Sequence, residues 1–450
     1  MATGLEITGA ARAQVGMDGA PSFPDSLDLT HAIELARENS PMLAQARSGA
    51  EAAHTGKWEA RASRLPSLTG RVVGLTTDSP ADAFGLQLMQ ERFSFPAFTM
   101  SDPNDPEAID HWSTELEARM PLFTGGKITG AIRQADRMAD AAGADRDQAE
   151  RGISLQVTNA YLDAILAEEG VALAERAQAT TAKHVDRVRD LFETGMAIES
   201  DLLQAEVQLS KMEEGTIAAR SQTAIARAAL GRTIGLDLPA DLPLARMQGM
   251  ELPLPSSIES ALQSAHADRP DLTAATARSE AARAAIKQAR AGYLPEVGIS
   301  GKLVWSDDHP FGSHGSSYTI AGQLQWSLWD WGATRQRVTR SRHLANVAAM
   351  EERDKNLGAE LEVLVGWESL QSARARLTTA TRAVGAAERA MQILEDRFDE
   401  GVTRITDLLD AETALHEART RALDARFGVQ RAARQLLFAA GQSPAPEVES

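Results

Sequence analysis

Residues Phe192 to Glu206 read FETGMAIESDLLQAE, and the chain returns to nearly the same words in FDEGVTRITDLLDAE, Phe398 to Glu412. A long segment repeated in this way implies one structural unit built twice, and other landmarks keep the same order. Pro41 in ENSPML recurs as Pro270 in DRPDL, and Pro66 in SRLPSLTG recurs as Pro295 in GYLPEVGI, both displaced by 229. PLFTGGK from Pro121 matches SLWDWGA from Ser327, and Gly195 matches Gly401, both displaced by 206. The offset falls once, by 23, so the first copy holds one longer connection between Pro66 and Pro121. The chain is a tandem duplication with one enlarged loop.

Each copy has the same internal order. A helical segment (Leu27 to Leu65; Ile258 to Leu294) is broken by Pro41 or Pro270, with Ser40 as N-cap and Pro41 as a suitable first helical residue. Two alternating strands follow, then a very long helical stretch (Lys127 to Phe192; Ala333 to Phe398), the Gly motif, and a returning helix (Ser200 to Ile234; Thr403 to Phe438). The expected division is a tail at 1–26, a first repeat at 27–235, a Pro- and Gly-rich linker or small packing element at 236–257, a second repeat at 258–441 and a tail at 442–450. In the second returning helix Leu408, Leu415, Ala422, Val429 and Leu436 lie seven apart, interleaved with Ala411, Ala418, Ala425, Ala432 and Ala439. That is an a/d seam, so outgoing and returning helices should form an antiparallel coiled coil. The first copy keeps the seam more loosely, with Leu202, Leu209 and Leu230 interrupted by Thr216 and Thr223. A helix from Lys127 to Phe192 would be roughly 100 Å long.

Composition fits long, closely packed helices: aromatics are 5% and hydrophobic residues 43% of the chain. A net charge of −17 argues against a general nucleic-acid binder. With no Cys, thiolate chemistry, disulfides and an N-terminal lipid-modified Cys are excluded, and the nine His are scattered without a metal-binding spacing. No metal or cofactor is expected. No window is apolar enough for a spanning helix. Ala11-Arg12-Ala13 before Gln14 resembles a leader cleavage site without the apolar stretch ahead of it, so 1–26 reads either as a signal-peptide remnant or as a tail.

The strand candidates, about 67–76, 111–122, 296–305 and 318–329, carry the second informative pattern. Trp112, Thr114, Leu116, Ala118 and Met120 oppose Ser113, Glu115, Glu117 and Arg119. Val297, Ile299, Leu303 and Trp305 oppose Glu296, Ser300 and Lys302, and Tyr318, Ile320, Leu324, Trp326 and Leu328 oppose Thr319, Gln323, Gln325 and Ser327. SLTGRVVGL is the weakest, because its alternation breaks at Val72-Val73. Staves of about ten residues with one apolar and one charged face match a transmembrane β-barrel. Trp112, Trp305, Tyr318, Trp326 and Trp329 near the strand ends read as interfacial aromatics in an otherwise aromatic-poor chain. Four strands cannot close a barrel, so the barrel must be shared between chains: two copies give eight strands and three give twelve.

At this point the residues resemble the TolC-like outer-membrane efflux proteins. The doubled order of helix, Pro, strand pair, long helix, Gly-x5-Asp and returning helix resembles that family from Leu27 to Gly441, as do MPLFTGGK and RFDEGVTRITDLLDAE. The resemblance implies a homotrimer in the outer membrane of a Gram-negative bacterium, with one twelve-stranded barrel and a periplasmic α-helical tunnel. It implies a passive exit duct of a tripartite efflux or type I secretion system, served by an inner-membrane pump through a periplasmic adaptor. Gly195 and Gly401, with Phe192 and Phe398, then mark the hairpin tips that meet the adaptor. Asp407 and Asp410 match family positions that ring the closed aperture; the plain alternative is helix-start acids favoured by the dipole. Asp201 matches the family's partner acid on the first tip; the family's Arg position is held here by Thr403, with Arg404 one residue later, and this departure leaves open whether Arg404 takes part in closing the aperture with Asp201.

TGGK at Thr124 to Lys127 lacks the spacing of a phosphate loop and reads as a turn. No Ser/His/Asp arrangement has local support, so an enzyme is not expected. The remaining alternative is a soluble periplasmic coiled-coil scaffold without a pore.

Overall fold

The computed structural model describes residues 25–96, 102, 104–246 and 252–444. The expected leader remnant or tail at the N-terminus lies almost wholly outside the described residues, as does most of the C-terminal tail.

The first helical segment divides into α1 (Leu29–Asn39) and α2 (Pro41–Ala62). Asp28 caps α1 by accepting from the His31 amide at 2.8 Å. Ser40 stands at the N-cap of α2 but its hydroxyl makes no capping bond, which corrects the sequence reading. The break comes from Pro41, whose ring pushes the preceding residue to an extended conformation: Ser40 has ψ 120°. In the second copy the same break separates α6 (Ile258–Asp268) from α7 (Pro270–Arg290). Here the buried Arg269 holds the corner, bonded to Asp271 at 2.8 Å, Glu362 at 2.7 Å and the Ala439 carbonyl at 3.2 Å.

Four strands form one antiparallel sheet in sequence order: β1 (Ser67–Thr77), β2 (Ile109–Phe123), β3 (Glu296–Asp307) and β4 (Gly315–Gln325). The pairings Thr114 with Val72 and Trp305, and Leu303 with Leu116 and Tyr318, put the apolar series of all four strands on one face. β1 runs unbroken through Val72-Val73; Val73 simply joins the polar face opposite Ser113. β4 ends at Gln325, four residues before the expected end, because Asp330 draws the chain into a turn by accepting from the Gly332 amide at 3.1 Å and the Thr334 amide at 2.7 Å. Trp326 and Trp329 therefore lie in the connection beyond the strand. The enlarged connection holds a helix, α3 (Pro80–Met89), which the repeat comparison does not reveal.

The long helices are α4 (Lys127–Glu193) and α8 (Ala333–Asp399), 67 residues each, and the returning helices are α5 (Glu199–Ile234) and α9 (Ile405–Ala439). At about 1.5 Å per residue α4 and α8 each extend about 100 Å. TGGK is the turn that starts α4: Gly125 and Gly126 have φ 61° and 91°, and the equivalent Trp331 and Gly332 have φ 54° and 83°. Among the described residues no helix is long and apolar enough to cross a membrane.

Every position of the α9 seam from Leu408 to Ala439 is buried or half-buried. In α5, Thr216 and Thr223 sit in the seam by turning their hydroxyls to the carbonyls of Met212 and Ala219, at 3.0 and 3.1 Å. One core lies where α1, α4 and α5 meet, around Leu27, Val157, Tyr161 and Leu230. Leu242 and Leu244 enter it, and Leu27 and Leu244 form a parallel bridge, so the segment after α5 packs as a small element. A second core gathers Ala261, Val363, Leu370 and Leu436, and a third gathers Val185, Val188, Met391 and Leu408 near the tips.

Candidate functional site

Both hairpin tips are made by one backbone device. Helix α4 ends with Gly195 at φ 76°, its amide bonded to the Phe192 carbonyl at 2.9 Å, while the Met196 amide reaches the Leu191 carbonyl at 2.8 Å. Helix α8 ends identically, with Gly401 at φ 70°, Gly401 to Phe398 at 3.0 Å and Val402 to Arg397 at 2.9 Å. These crossed bonds satisfy the last carbonyls of each helix and need a left-handed residue, which glycine supplies cheaply. The turn leaves Met196, Ile198 and Val402 exposed at the tips.

Within the chain the two tips are tied to each other by a pair other than Asp201 and Arg404. Among the described residues Arg404 makes no ion pair with Asp201; it is exposed at the N-cap of α9. The tie is Arg187 of α4 with Asp399 at the end of α8, and the same guanidinium lies 5.8 Å from the Phe398 ring centroid. Gln208 of α5 donates to Thr413 of α9 at 2.8 Å, adding a second link between the copies. Asp407 and Asp410 are both exposed in the first turns of α9, and Asp407 accepts from the Thr403 hydroxyl at 3.2 Å.

One turn deeper is a site that sequence reasoning missed. Glu412 is 5% exposed, and one of its carboxyl oxygens accepts from Thr181 of α4 at 2.9 Å. Its other oxygen has no hydrogen-bond partner, and His184, also buried, comes only to 4.0 Å. Burial, reinforced by the nearby Glu395, pushes Glu412 up to about 7, against the opposing bond from Thr181, and burial pushes His184 down. Both groups favour their neutral forms, so this is a buried polar contact between α4 and α9 and not a salt bridge.

At the other end, the apolar face of the sheet is unpartnered among the described residues: Tyr318 and Ile320 are 75% and 72% exposed. Trp112 lies flat against Gly74, where an added Cβ would come within 2.8 Å of the indole. Trp112 and Trp305 stand toward the strand ends farther from the long helices, while Trp326 and Trp329 stand at the helix end, with Trp326 donating to the Tyr293 carbonyl at 3.2 Å. The opposite face is charged, with Lys302 bonded to Glu115 at 2.8 Å and Arg119 to Glu117 at 2.6 Å. Asp307, Asp308 and His309 come close enough together to hold a cation, but Arg92 already pairs with both acids.

A sheet with one lipid-compatible face, two unpaired edges and a continuous extension into helical hairpins of about 100 Å defines an outer-membrane channel subunit, part barrel and part helical tunnel. The chain belongs to the outer membrane efflux protein family, whose model matches residues 32–236 and 261–442. It is similar to outer membrane protein TolC of Vibrio cholerae, 22% identical over 89% of this chain and 87% of that protein. It is also similar to protein CyaE of Bordetella pertussis, 27% identical over 97% of this chain and 93% of that one. Solved structures share the fold: the CmeC outer membrane channel of Campylobacter jejuni (TM-score 0.80, 17% identity, 93% of this chain and 87% of that one) and VceC of Vibrio cholerae (TM-score 0.77, 21% identity, 93% and 97%). The protein is an outer-membrane transport channel and not an enzyme, and the scaffold without a pore is set aside.

Proposed function

We propose that three copies of this chain form one exit duct, with twelve strands closing the barrel and two hairpins per chain forming the tunnel. The observation that carries this reading is the four-stranded sheet, whose apolar face and two free edges have no covering element among the described residues. An open edge in lipid leaves backbone groups unsatisfied, and only closure with further copies removes it. The two repeats, 27–235 and 258–441, then act as two staves of the same wall, joined by 236–257. Trp112, Trp305, Tyr318, Trp326 and Trp329 form the interfacial belts, and outer-membrane lipid is the partner of that surface.

The tips around Gly195 and Gly401, with Phe192, Phe398 and the exposed Met196, Ile198 and Val402, are the surface for a periplasmic adaptor, and through it an inner-membrane pump. Asp407 and Asp410 ring the narrowest point, six carboxylates from three chains, and attract cations there. Relatives with names as different as an alkaline protease secretion protein of Pseudomonas aeruginosa and a pyoverdine export protein of Pseudomonas putida support a passive wall whose cargo is chosen by the pump.

The mass of the detergent-extracted particle tests the assembly. A trimer is expected; a monodisperse monomer in buffer without detergent overturns the shared barrel.

A further inference from the structure

The first repeat has something that the second lacks. β3 and β4 are joined by residues 308–314 alone, whereas the connection from β1 to β2 carries α3. The strand pairings put His111 and Ser113 of β2 and Ser306 of β3 on the charged face, the one that also bears Glu115, Glu117 and Lys302. These three are buried, although the sheet beyond them is open. What covers them is the chain leaving α3. Gln90, 1% exposed, donates to the carbonyls of Asp110 at 2.8 Å and Asp307 at 3.2 Å, and its amide nitrogen lies 3.2 Å from the His111 ring nitrogen. A Cβ on Gly315 would come within 2.1 Å of the Met89 carbonyl, so the backbone itself is seated against β4. Arg92 then anchors the segment on Asp307 and Asp308.

The connection is thus folded over the water side of the sheet and away from the lipid side. Yet Leu88 and Met89 at the end of α3 remain 49% and 51% exposed. Apolar side chains held over an aqueous lumen by a buried anchor call for an apolar partner. The second copy is the partner that symmetry supplies, because each chain of a closed barrel brings the same helix to the same height. Twelve strands about 4.8 Å apart, tilted about 40°, enclose a cylinder about 24 Å across between backbones, and inward side chains narrow it further. Three helices of about 10 Å diameter span about 22 Å, so they meet over the rim, where α3 follows the end of β1, and not between the staves.

We propose that the three copies of α3 meet across the barrel axis and close its outer mouth, with Leu88 and Met89 of each chain packed against the neighbouring copies. The duct then carries two closures in series. The inner one, at the tips, is charged; the outer one is apolar and blocks ions by dewetting. This rests on the three-chain barrel proposed above.

The absence of cysteine makes the test direct. Leu88→Cys introduces a single thiol per chain, and Met89→Cys provides a second, independent position. Each variant is purified in detergent, its mass is measured, and it is then oxidised with copper phenanthroline. A particle that is not a trimer defeats the assembly reading itself. In a trimer, meeting helices give a disulfide-linked dimer containing up to about two-thirds of the chains, since a third thiol has no mate. Ile320→Cys, on the lipid face, gives none. An intact trimer in which neither Leu88→Cys nor Met89→Cys links, while both thiols react fully with a bulky maleimide, overturns the outer closure.

Discussion

At Gly195 and Gly401 an added Cβ would meet nothing within 4 Å, so neither glycine is there to make room. What each position requires is its positive φ, and an L-residue held in that region costs about 1 kcal/mol. Gly401→Ala is therefore expected to destabilise the tip by about 1 kcal/mol per chain, seen as faster protease cleavage near residue 401 with strand pairing unchanged by circular dichroism. Glu412 makes the opposite kind of demand, on charge. Its folded pKa of about 7 lies above the ordinary carboxyl value of 4.5, so between these two values the folded chain holds a proton that the unfolded chain has released. Stability from this group is intact below about pH 4.5 and is lost progressively as pH rises to about 7, by at most about 3 kcal/mol per chain. Glu412→Gln keeps an acceptor for Thr181 and removes the charge. The variant should unfold at a higher temperature than the parent at pH 8 and at nearly the same temperature at pH 4; equal melting temperatures at pH 8 would refute the buried-acid account.

Among helices the informative contacts run between the two copies. Arg187 with Asp399, Gln208 with Thr413 and Thr181 with Glu412 all join a first-copy helix to a second-copy helix within a few turns of the tips. Arg187 and Asp399 are each nearly half exposed, so one pair is worth only about 0.5 kcal/mol. Three pairs in the proposed trimer, released together, would still be enough to shift a closed-to-open equilibrium about tenfold. Arg187→Ala and Asp399→Asn should each raise the open fraction in planar-bilayer recordings. Arg404→Ala should leave it unchanged, because Arg404 has no partner acid among the described residues. Equal opening by Arg404→Ala would show that Arg404 takes part in closing the aperture.

Over the proposed three-chain assembly, what matters is how threefold repetition would convert single side chains into rings. Asp407 and Asp410 are ordinary exposed acids in one chain, but in the trimer proposed above six of them would stand about one axis and concentrate negative potential at the inner end. The trimer is expected to conduct weakly and with cation preference, and multivalent cations added on the tip side should block it. Replacing both acids with Ala should abolish most of the block without affecting insertion, since the strands lie about 100 Å away along α8. A double variant that keeps parental block and selectivity would reduce the two acids to helix-start residues.

The duplication, the lengths of the helices, the Ala-lined seam, the glycine tips and the alternation of the strands are all legible in the sequence alone. Each follows from local rules: a period of seven, a period of two, and the need for a positive φ where a helix reverses. Where β4 ends was less legible, because the apolar alternation continues through Trp326 and Leu328 while Asp330 turns the backbone away. The helix in the enlarged connection had no second copy to align with. The most instructive case is the final residue of the repeated motif. Glu206 and Glu412 close the same words, DLLQAE and DLLDAE, and local rules treat them alike. In the folded chain Glu206 is 45% exposed and pairs with Arg189 at 3.3 Å, whereas Glu412 is 6% exposed at the side chain and bonds Thr181. Periodicity determines which residues share a face of their own helix. Which face a third helix then covers depends on how the two hairpins lean together, and within one chain α4 lies over α9 at Glu412, whereas Glu206 stands on the open side of its hairpin. Only the tertiary structure decided that difference, because a carboxyl group's surroundings are set by residues more than two hundred positions away.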